Sequence, residues 1–388
     1  MRRIRVLVVD DAVVVRRLVT DVLNADPDIE VVGIAANGKI ALAKIAQLAP
    51  DIITLDIEMP EMDGLQTIAE IRKTWKRLPV IMFSTLTERG AKATMDALAL
   101  GATDYVTKPA NVGSVTMAQQ RVREDLIPRI KHLCLGIAGI SFTPTTAASA
   151  SAVAKPAAPR VVTAPAVAGP RAPVAIVAIG SSTGGPNALA DVIPRFPADF
   201  PVPIVITQHM PPVFTRFLAE RLTATSHLQV KEAVEGDVLK AGTVWIAPGD
   251  HHLVLRKIGG QVVVTLNQEP PENSCRPSVD VMLRSVVNCY DRRVLSVILT
   301  GMGQDGLRGC EAVHDAGGRI LAQDEASSVV WGMPGFVARA GIAEAIVPLA
   351  NIAQAILDRL TPAGSRIVPP SAPRAQSFPA TTAGAAWR

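Results

Sequence analysis

Two groups of residues in this chain have the types and spacing to do chemistry. The first is acidic. Asp10 and Asp11 end the apolar run VLVVDD, and Asp56 ends the run ITLD. Ser84 closes a third apolar run, and Lys108, followed by Pro109, closes a fourth. Three carboxylates gathered at one sheet edge repel each other unless a hard cation holds them, and such oxygen ligands suit Mg²⁺. Ordinary strand-end polarity accounts for any one of these five residues; it accounts poorly for all five together.

The second group is nucleophilic. An apolar run leads into Gly180-Ser181-Ser182-Thr183-Gly184-Gly185-Pro186 and then the helix-like NALADVI. Glycines around a serine at a strand-to-helix turn let the backbone bend sharply and leave the hydroxyl above the sheet. Helix N-terminal amides nearby favour developing negative charge. The spacing does not fit GxGxxG, and no lysine follows as a phosphate-binding loop requires. Taken alone, a plain loop explains this turn, and a structural histidine explains His209 after the next apolar run. Asp305, in the glycine-rich turn TGMGQDG, alone reads as loop chemistry. Together, Ser, His and Asp at one strand edge supply a nucleophile, a base and its orienter. Their chain order differs from the Ser–Asp–His order of common α/β-hydrolases, so convergent geometry is expected.

The elements that must position these residues are legible from periodicity. Up to about residue 131, β-branched runs at 4–9, 30–35, 51–55, 79–83 and 104–106 alternate with amphipathic stretches. Strand–helix alternation resumes at 174–360, with strands expected at 174–179, 202–207, 243–247, 294–299 and 319–322. Runs at 252–256 and 262–266 flank Gly259-Gly260 and predict a hairpin. The expected fold class is α/β throughout. A flavodoxin-like five-stranded parallel sheet fills 1–131, and a larger, doubly wound, mostly parallel α/β hydrolase domain of Rossmann-like type fills 174–360. The Ala/Pro-rich stretch 132–173 reads as an extended linker, and 361–388 as a disordered tail.

Composition narrows the function classes. With 388 residues, 48% hydrophobic and 19% charged, the chain is long enough for two ordinary cores. A net charge of +4 with scattered Lys and Arg excludes a clustered nucleic-acid face, and supports at most a weak preference for an acidic protein surface. The cysteines 134, 275, 289 and 310 are far apart and form no CxxC pair, so they read as buried apolar side chains. No stretch is long and apolar enough to span a membrane, and the apolar part of MRRIRVLVVDD is too short for a signal peptide. A cytoplasmic location is expected.

The set VVDD, LDIEMPEMDG, FST and TKP resembles the receiver domain of two-component response regulators. That resemblance implies phosphorylation of Asp56 by a histidine kinase, with Mg²⁺ held by Asp10, Asp11, Asp56 and the Glu58 carbonyl. It also implies that Lys108 contacts the acyl phosphate, and that Ser84 and Tyr105 act as switch residues. IGSSTGGP, TQHMPPVFTRFLAERL and ILTGMGQDG, with APGDHH, CRPSVDVM and AQDEASSVVWGMP, resemble chemotaxis protein-glutamate methylesterases. There the resemblance implies Ser182 as nucleophile, His209 as base, Asp305 as orienter, and the Met302 and Thr183 amides as oxyanion donors. It implies ester hydrolysis without a cofactor and glutamine deamidation on methylated chemoreceptors, the membrane being met only through those receptors. It further implies a receiver that covers the active site until phosphorylated. Ser181 departs from the family, which often carries alanine there; the pattern places the nucleophile immediately before Thr183, hence Ser182. Two rivals stand beside this reading: a non-enzymatic receptor- or kinase-binding module, and an esterase or deamidase acting outside chemotaxis. A DNA-binding output lacks its small basic helical module.

Overall fold

The computed structural model of the chain describes residues 2–109, 114–134 and 172–360. Most of the expected linker and all of the expected tail lie outside the described residues. In the first unit the chain forms β1 (Ile4–Val9), α1 (Val13–Asn24), β2 (Ile29–Ala35), α2 (Gly38–Leu48), β3 (Ile52–Asp56), α3 (Gly64–Thr74), β4 (Val80–Ser84), α4 (Glu88–Ala99), β5 (Asp104–Thr107) and α5 (Val115–Leu133). The strands pair in parallel in the order β2-β1-β3-β4-β5. Every residue of β3 and β4 is buried, the burial that makes central parallel strands continuous apolar runs. Val19 and Leu23 of α1 and Val122 and Leu126 of α5 cover one face; Ile45, Ile68 and Met95 from α2, α3 and α4 cover the other. Local chemistry sets the helix starts. Asp63 and Gln66 form a reciprocal capping box on α3, and Asn37, Thr87 and Ser114 cap α2, α4 and α5.

The second unit comprises β6 (Ile176–Ser181), α6 (Gly185–Val192), β7 (Ile204–Gln208), α7 (Phe214–Thr225), β8 (Gln229–Glu232), β9 (Thr243–Ile246), β10 (His252–Ile258), β11 (Gln261–Asn267), α8 (Val279–Tyr290), β12 (Val294–Ile298), α9 (Leu307–Asp315), β13 (Arg319–Gln323), α10 (Met333–Arg339), β14 (Ala345–Val347) and α11 (Leu349–Leu360). Seven strands form a fully parallel sheet in the order β14-β13-β12-β6-β7-β9-β8. β10 and β11 are the expected hairpin, turned by Gly259 and Gly260 at positive φ. Leu189 of α6, Leu218 of α7 and Ile356 of α11 pack on one face; Val286 of α8, Val313 of α9 and Val337 of α10 pack on the other. The chain leaves β6 toward β7 and later returns to lay β12 on the opposite side. β6 and β12 therefore flank the reversal of strand order, where open α/β sheets bind ligands.

The two units pack directly against each other. The Tyr105 ring lies on Phe214 with centroids 4.9 Å apart and planes 9° from parallel. Asn187 donates its side-chain amide to the Ala102 carbonyl at 3.0 Å, and Arg221 on α7 reaches the Met95 carbonyl on α4 at 3.2 Å. At the rim, Arg216 pairs with Glu88 at 2.6 Å.

Candidate active site

Ser182 follows the last residue of β6 and precedes α6, in the middle of the second sheet. The turn depends on two glycines. Gly184 sits at φ +77°, and Gly301 approaches so closely that an added Cβ would lie 2.9 Å from that of Ser182. The Ser182 amide is tied to the Thr300 carbonyl at 3.0 Å, and Gln208 donates to the Ser182 carbonyl at 2.9 Å. Ser181 points the other way: it is buried, and its hydroxyl donates to Gln208 Oε1 at 2.7 Å. Of the adjacent serines, Ser182 alone is partly exposed. Among the described residues, the Thr183 and Met302 amides donate to no protein acceptor, so both N–H groups are available to an oxyanion.

His209 follows β7, and its amide donates to the Ser181 carbonyl at 3.1 Å. Its Nε2 lies 2.8 Å from Asp305 Oδ2. Asp305, 2% exposed, also accepts from Ser278 Oγ at 2.8 Å, Val279 N at 2.7 Å, Asp280 N at 3.1 Å and Asn273 Nδ2 at 3.0 Å. The N-terminus of α8 thus clamps the carboxylate. Burial alone would raise the Asp305 carboxyl, but the His209 hydrogen bond and charge, with these donors, hold it well below the usual range. Burial alone would lower the His209 imidazole; Asp305 and Cys275 outweigh it and carry the ring up to about 10. With Nε2–H committed to Asp305, a neutral ring keeps its lone pair at Nδ1. That nitrogen faces Cys275 Sγ at 3.5 Å, and among the described residues the Ser182 hydroxyl has no hydrogen-bond partner. The structure therefore joins His209 to Asp305 and brings Ser182 to the same rim, without a Ser182–His209 bond. It also corrects one expectation. Cys134, Cys289 and Cys310 are buried, but Cys275 is not, because its segment crosses the mouth of the site to deliver Ser278 to Asp305.

The acidic group assembles at the edge of the first sheet. The carboxylates of Asp10, Asp11 and Asp56 lie within 4.8 Å of one another, and Lys108 Nζ is 2.8 Å from both Asp10 and Asp56. Burial, then the neighbouring Asp10 charge, push Asp56 up to about 6 against the pull of Lys108. The cluster holds more negative charge than one ammonium offsets, and its all-oxygen donor set fits a hard cation. The Glu58 side chain turns outward to Arg89 at 3.1 Å. Ser84 Oγ donates to the Gly90 carbonyl at 3.1 Å, and Tyr105 is buried against Phe214.

Arg129 on α5, which sequence reasoning missed, links the receiver to the turn that carries Ser182. It pairs with Asp104 at 2.5 Å and donates to Thr183 Oγ1, beside Ser182, at 3.2 Å. Gln208, Asn273 and Ser278 were also missed. Their signal, side chains that hydrogen-bond other site residues, exists only once the chain is folded. A cavity of about 540 Å³ lies between the units, with Tyr105 and Arg129 on one wall and His209, Cys275 and Arg276 on the other.

Comparison with known proteins places both units. Residues 177–356 match the model of the CheB methylesterase family, and residues 6–119 that of the response regulator receiver domain. A Trichodesmium erythraeum protein-glutamate methylesterase/protein-glutamine glutaminase is 52% identical over 93% of this chain and all of its own. A protein of the same description from Nocardioides is 51% identical over 96% of this chain and all of its own. A crystal structure of the Thermotoga maritima CheB methylesterase catalytic domain is 45% identical, covers 48% of this chain and 99% of its own, and has a TM-score of 0.47.

Proposed function

The chain belongs to the CheB methylesterase family, with a response-regulator receiver domain at its N-terminal side, and from that membership we propose how its residues perform and regulate the reaction. It is a phosphorylation-regulated protein-glutamate methylesterase and protein-glutamine glutaminase that demethylates and deamidates chemoreceptors. The observation that carries the mechanism is the 2.8 Å bond between His209 and Asp305 on the rim that Ser182 shares. Ser182 Oγ attacks the side-chain ester carbonyl while its proton passes to His209 Nδ1. Asp305 fixes the tautomer and stabilises the imidazolium. The Thr183 and Met302 amides bind the oxyanion; losing one such donor costs about 3 kcal/mol. The leaving methoxide takes the proton from His209 and departs as methanol, and water hydrolyses the acyl-enzyme with His209 again as base. A glutamine amide follows the same route and releases ammonia.

A histidine kinase phosphorylates Asp56; Asp10, Asp11, Asp56 and the Glu58 carbonyl would hold Mg²⁺, which when bound would supply positive charge against the incoming phosphoryl group. Lys108 then pairs with the phosphoryl oxygens, which draw the Ser84 hydroxyl away from Gly90, and Tyr105 follows. The docked receiver keeps substrate out. The receiver's Tyr105 and Arg129 form one wall of the cavity beside His209, so the receiver must move for a receptor helix to reach Ser182. Membrane-bound receptors are met peripherally: among the described residues, no helix is long and apolar enough to cross a membrane.

The test is methanol release from methyl-labelled receptor membranes, with and without a small phosphodonor. Wild type is expected to respond to the phosphodonor, and Ser182→Ala to lose at least about 10³-fold in rate under both conditions. Retained methanol release in Ser182→Ala refutes the nucleophile assignment, and intact receptor adaptation in that variant favours a non-enzymatic module.

A further inference from the structure

Cys275 is the only one of the four cysteines that is not buried, and its Sγ lies 3.5 Å from His209 Nδ1. A Zn–S bond of about 2.3 Å and a Zn–N bond of about 2.0–2.1 Å at a tetrahedral angle put the two donor atoms about 3.5 Å apart. The pair therefore already stands at ligand spacing. The ring's other nitrogen is held by Asp305, the carboxylate–histidine arrangement that orients imidazole ligands in metal sites. His209, Cys275 and Asp305 each place a donor atom within 4.8 Å of the others, and the interdomain cavity opens on them. A cation there would complete its coordination with water from that side.

We propose that His209 and Cys275 form an inhibitory site for Zn²⁺, which stops the esterase by occupying the Nδ1 lone pair. This rests on the hydrolase reading, in which that lone pair takes the proton of Ser182. On binding, the Cys275 thiol and the His209 imidazolium each release a proton to solvent as the metal–sulfur and metal–nitrogen bonds form, and no electron is transferred. Thiolate and imidazole select a borderline-soft cation over Mg²⁺, so the site stays distinct from the all-oxygen cluster of the receiver.

The experiment adds Co²⁺ alone, as a spectroscopic stand-in for Zn²⁺, to the reduced full-length protein. A near-ultraviolet thiolate-to-cobalt band is expected at one metal per chain, displaced by Zn²⁺ and absent from Cys275→Ser and Cys275→Ala. Because the other three cysteines are buried, that band reports on Cys275. In the methanol assay, Zn²⁺ is expected to inhibit reversibly, with a chelator restoring the rate. Either Cys275 variant should need roughly tenfold more Zn²⁺ for equal inhibition. A missing band, a band that persists in both variants, or unchanged zinc sensitivity in them overturns the proposal. Ser182→Ala should keep the band while losing activity. A failure of the nucleophile assignment thus shows in methanol release, and a failure of the metal site in the spectrum.

Discussion

Asp305 is held by donors from three separate stretches of chain, Asn273, the start of α8 and His209, and this over-determination makes its chemistry testable at a single atom pair. Asp305→Asn should keep most of that geometry but favour the wrong imidazole tautomer. A fall in kcat of about 10³–10⁴-fold with little change in KM is expected. A KM effect alone would mean that Asp305 serves substrate binding instead. Since the resting His209 imidazole is carried up to about 10, its neutral, base form gains about tenfold per pH unit below that value. Methanol release by the unphosphorylated protein, corrected for spontaneous ester hydrolysis, should climb from pH 7 to 9; a flat profile contradicts this. Asp56 carries the opposite implication for stability. Its pKa is raised above the unfolded value, so its favourable contribution is complete below about pH 4 and lost as pH rises through about 6. At pH 7 in EDTA, Asp56→Asn should therefore melt several degrees higher than wild type by calorimetry. The residues proposed to do chemistry were legible because they gather at the ends of neighbouring apolar runs, which ordinary strand-end polarity explains one at a time but not together. Cys275 was not, since nothing in its spacing shows that it meets an imidazole 66 positions away.

At the level of elements, α5 does more than cover a sheet face. It carries Arg129 from the receiver's hydrophobic layer to the turn that holds Ser182, while β5 presents Tyr105 to α7. Removing the guanidinium leaves buried Asp104 unpaired and Thr183 without its donor, which weakens docking. Arg129→Gln is expected to raise methanol release in the absence of phosphodonor and to lower its fold-activation. A basal rate at or below wild type would show that Arg129 supports the active turn instead of restraining it. Periodicity revealed the central strands because parallel strands buried on both faces are continuous apolar runs. It missed β8, whose QVKE sequence is a short polar edge, and β14, whose three residues are too few to show a period. The helix-to-turn contacts of Arg129 depend on how two sheets dock, which no local pattern encodes.

In the molecule as a whole, the receiver packs beside the rim that carries Ser182 and His209, and we propose that this contact keeps the receptor out until phosphorylation. A fragment limited to 174–360 should then hydrolyse receptor esters at a rate independent of phosphodonor and above that of the resting full-length protein. A fragment shown by circular dichroism to be folded, yet slower than the resting enzyme, removes steric closure as the explanation. The division into two α/β units was readable from composition and alternation, but their mutual orientation rests on surface contacts such as Asn187 to Ala102. The character of those contacts has a consequence for the response to salt. A stacked aromatic pair and the hydrogen bond from Arg129 to Thr183 hold the joint, while the Arg216–Glu88 pair at its rim stands largely in solvent. Dissolved ions screen only the last of these, over a Debye length of about 8 Å at physiological ionic strength. Added salt should thus leave this enzyme quiet until a phosphoryl group, and not a change of ionic strength, opens it.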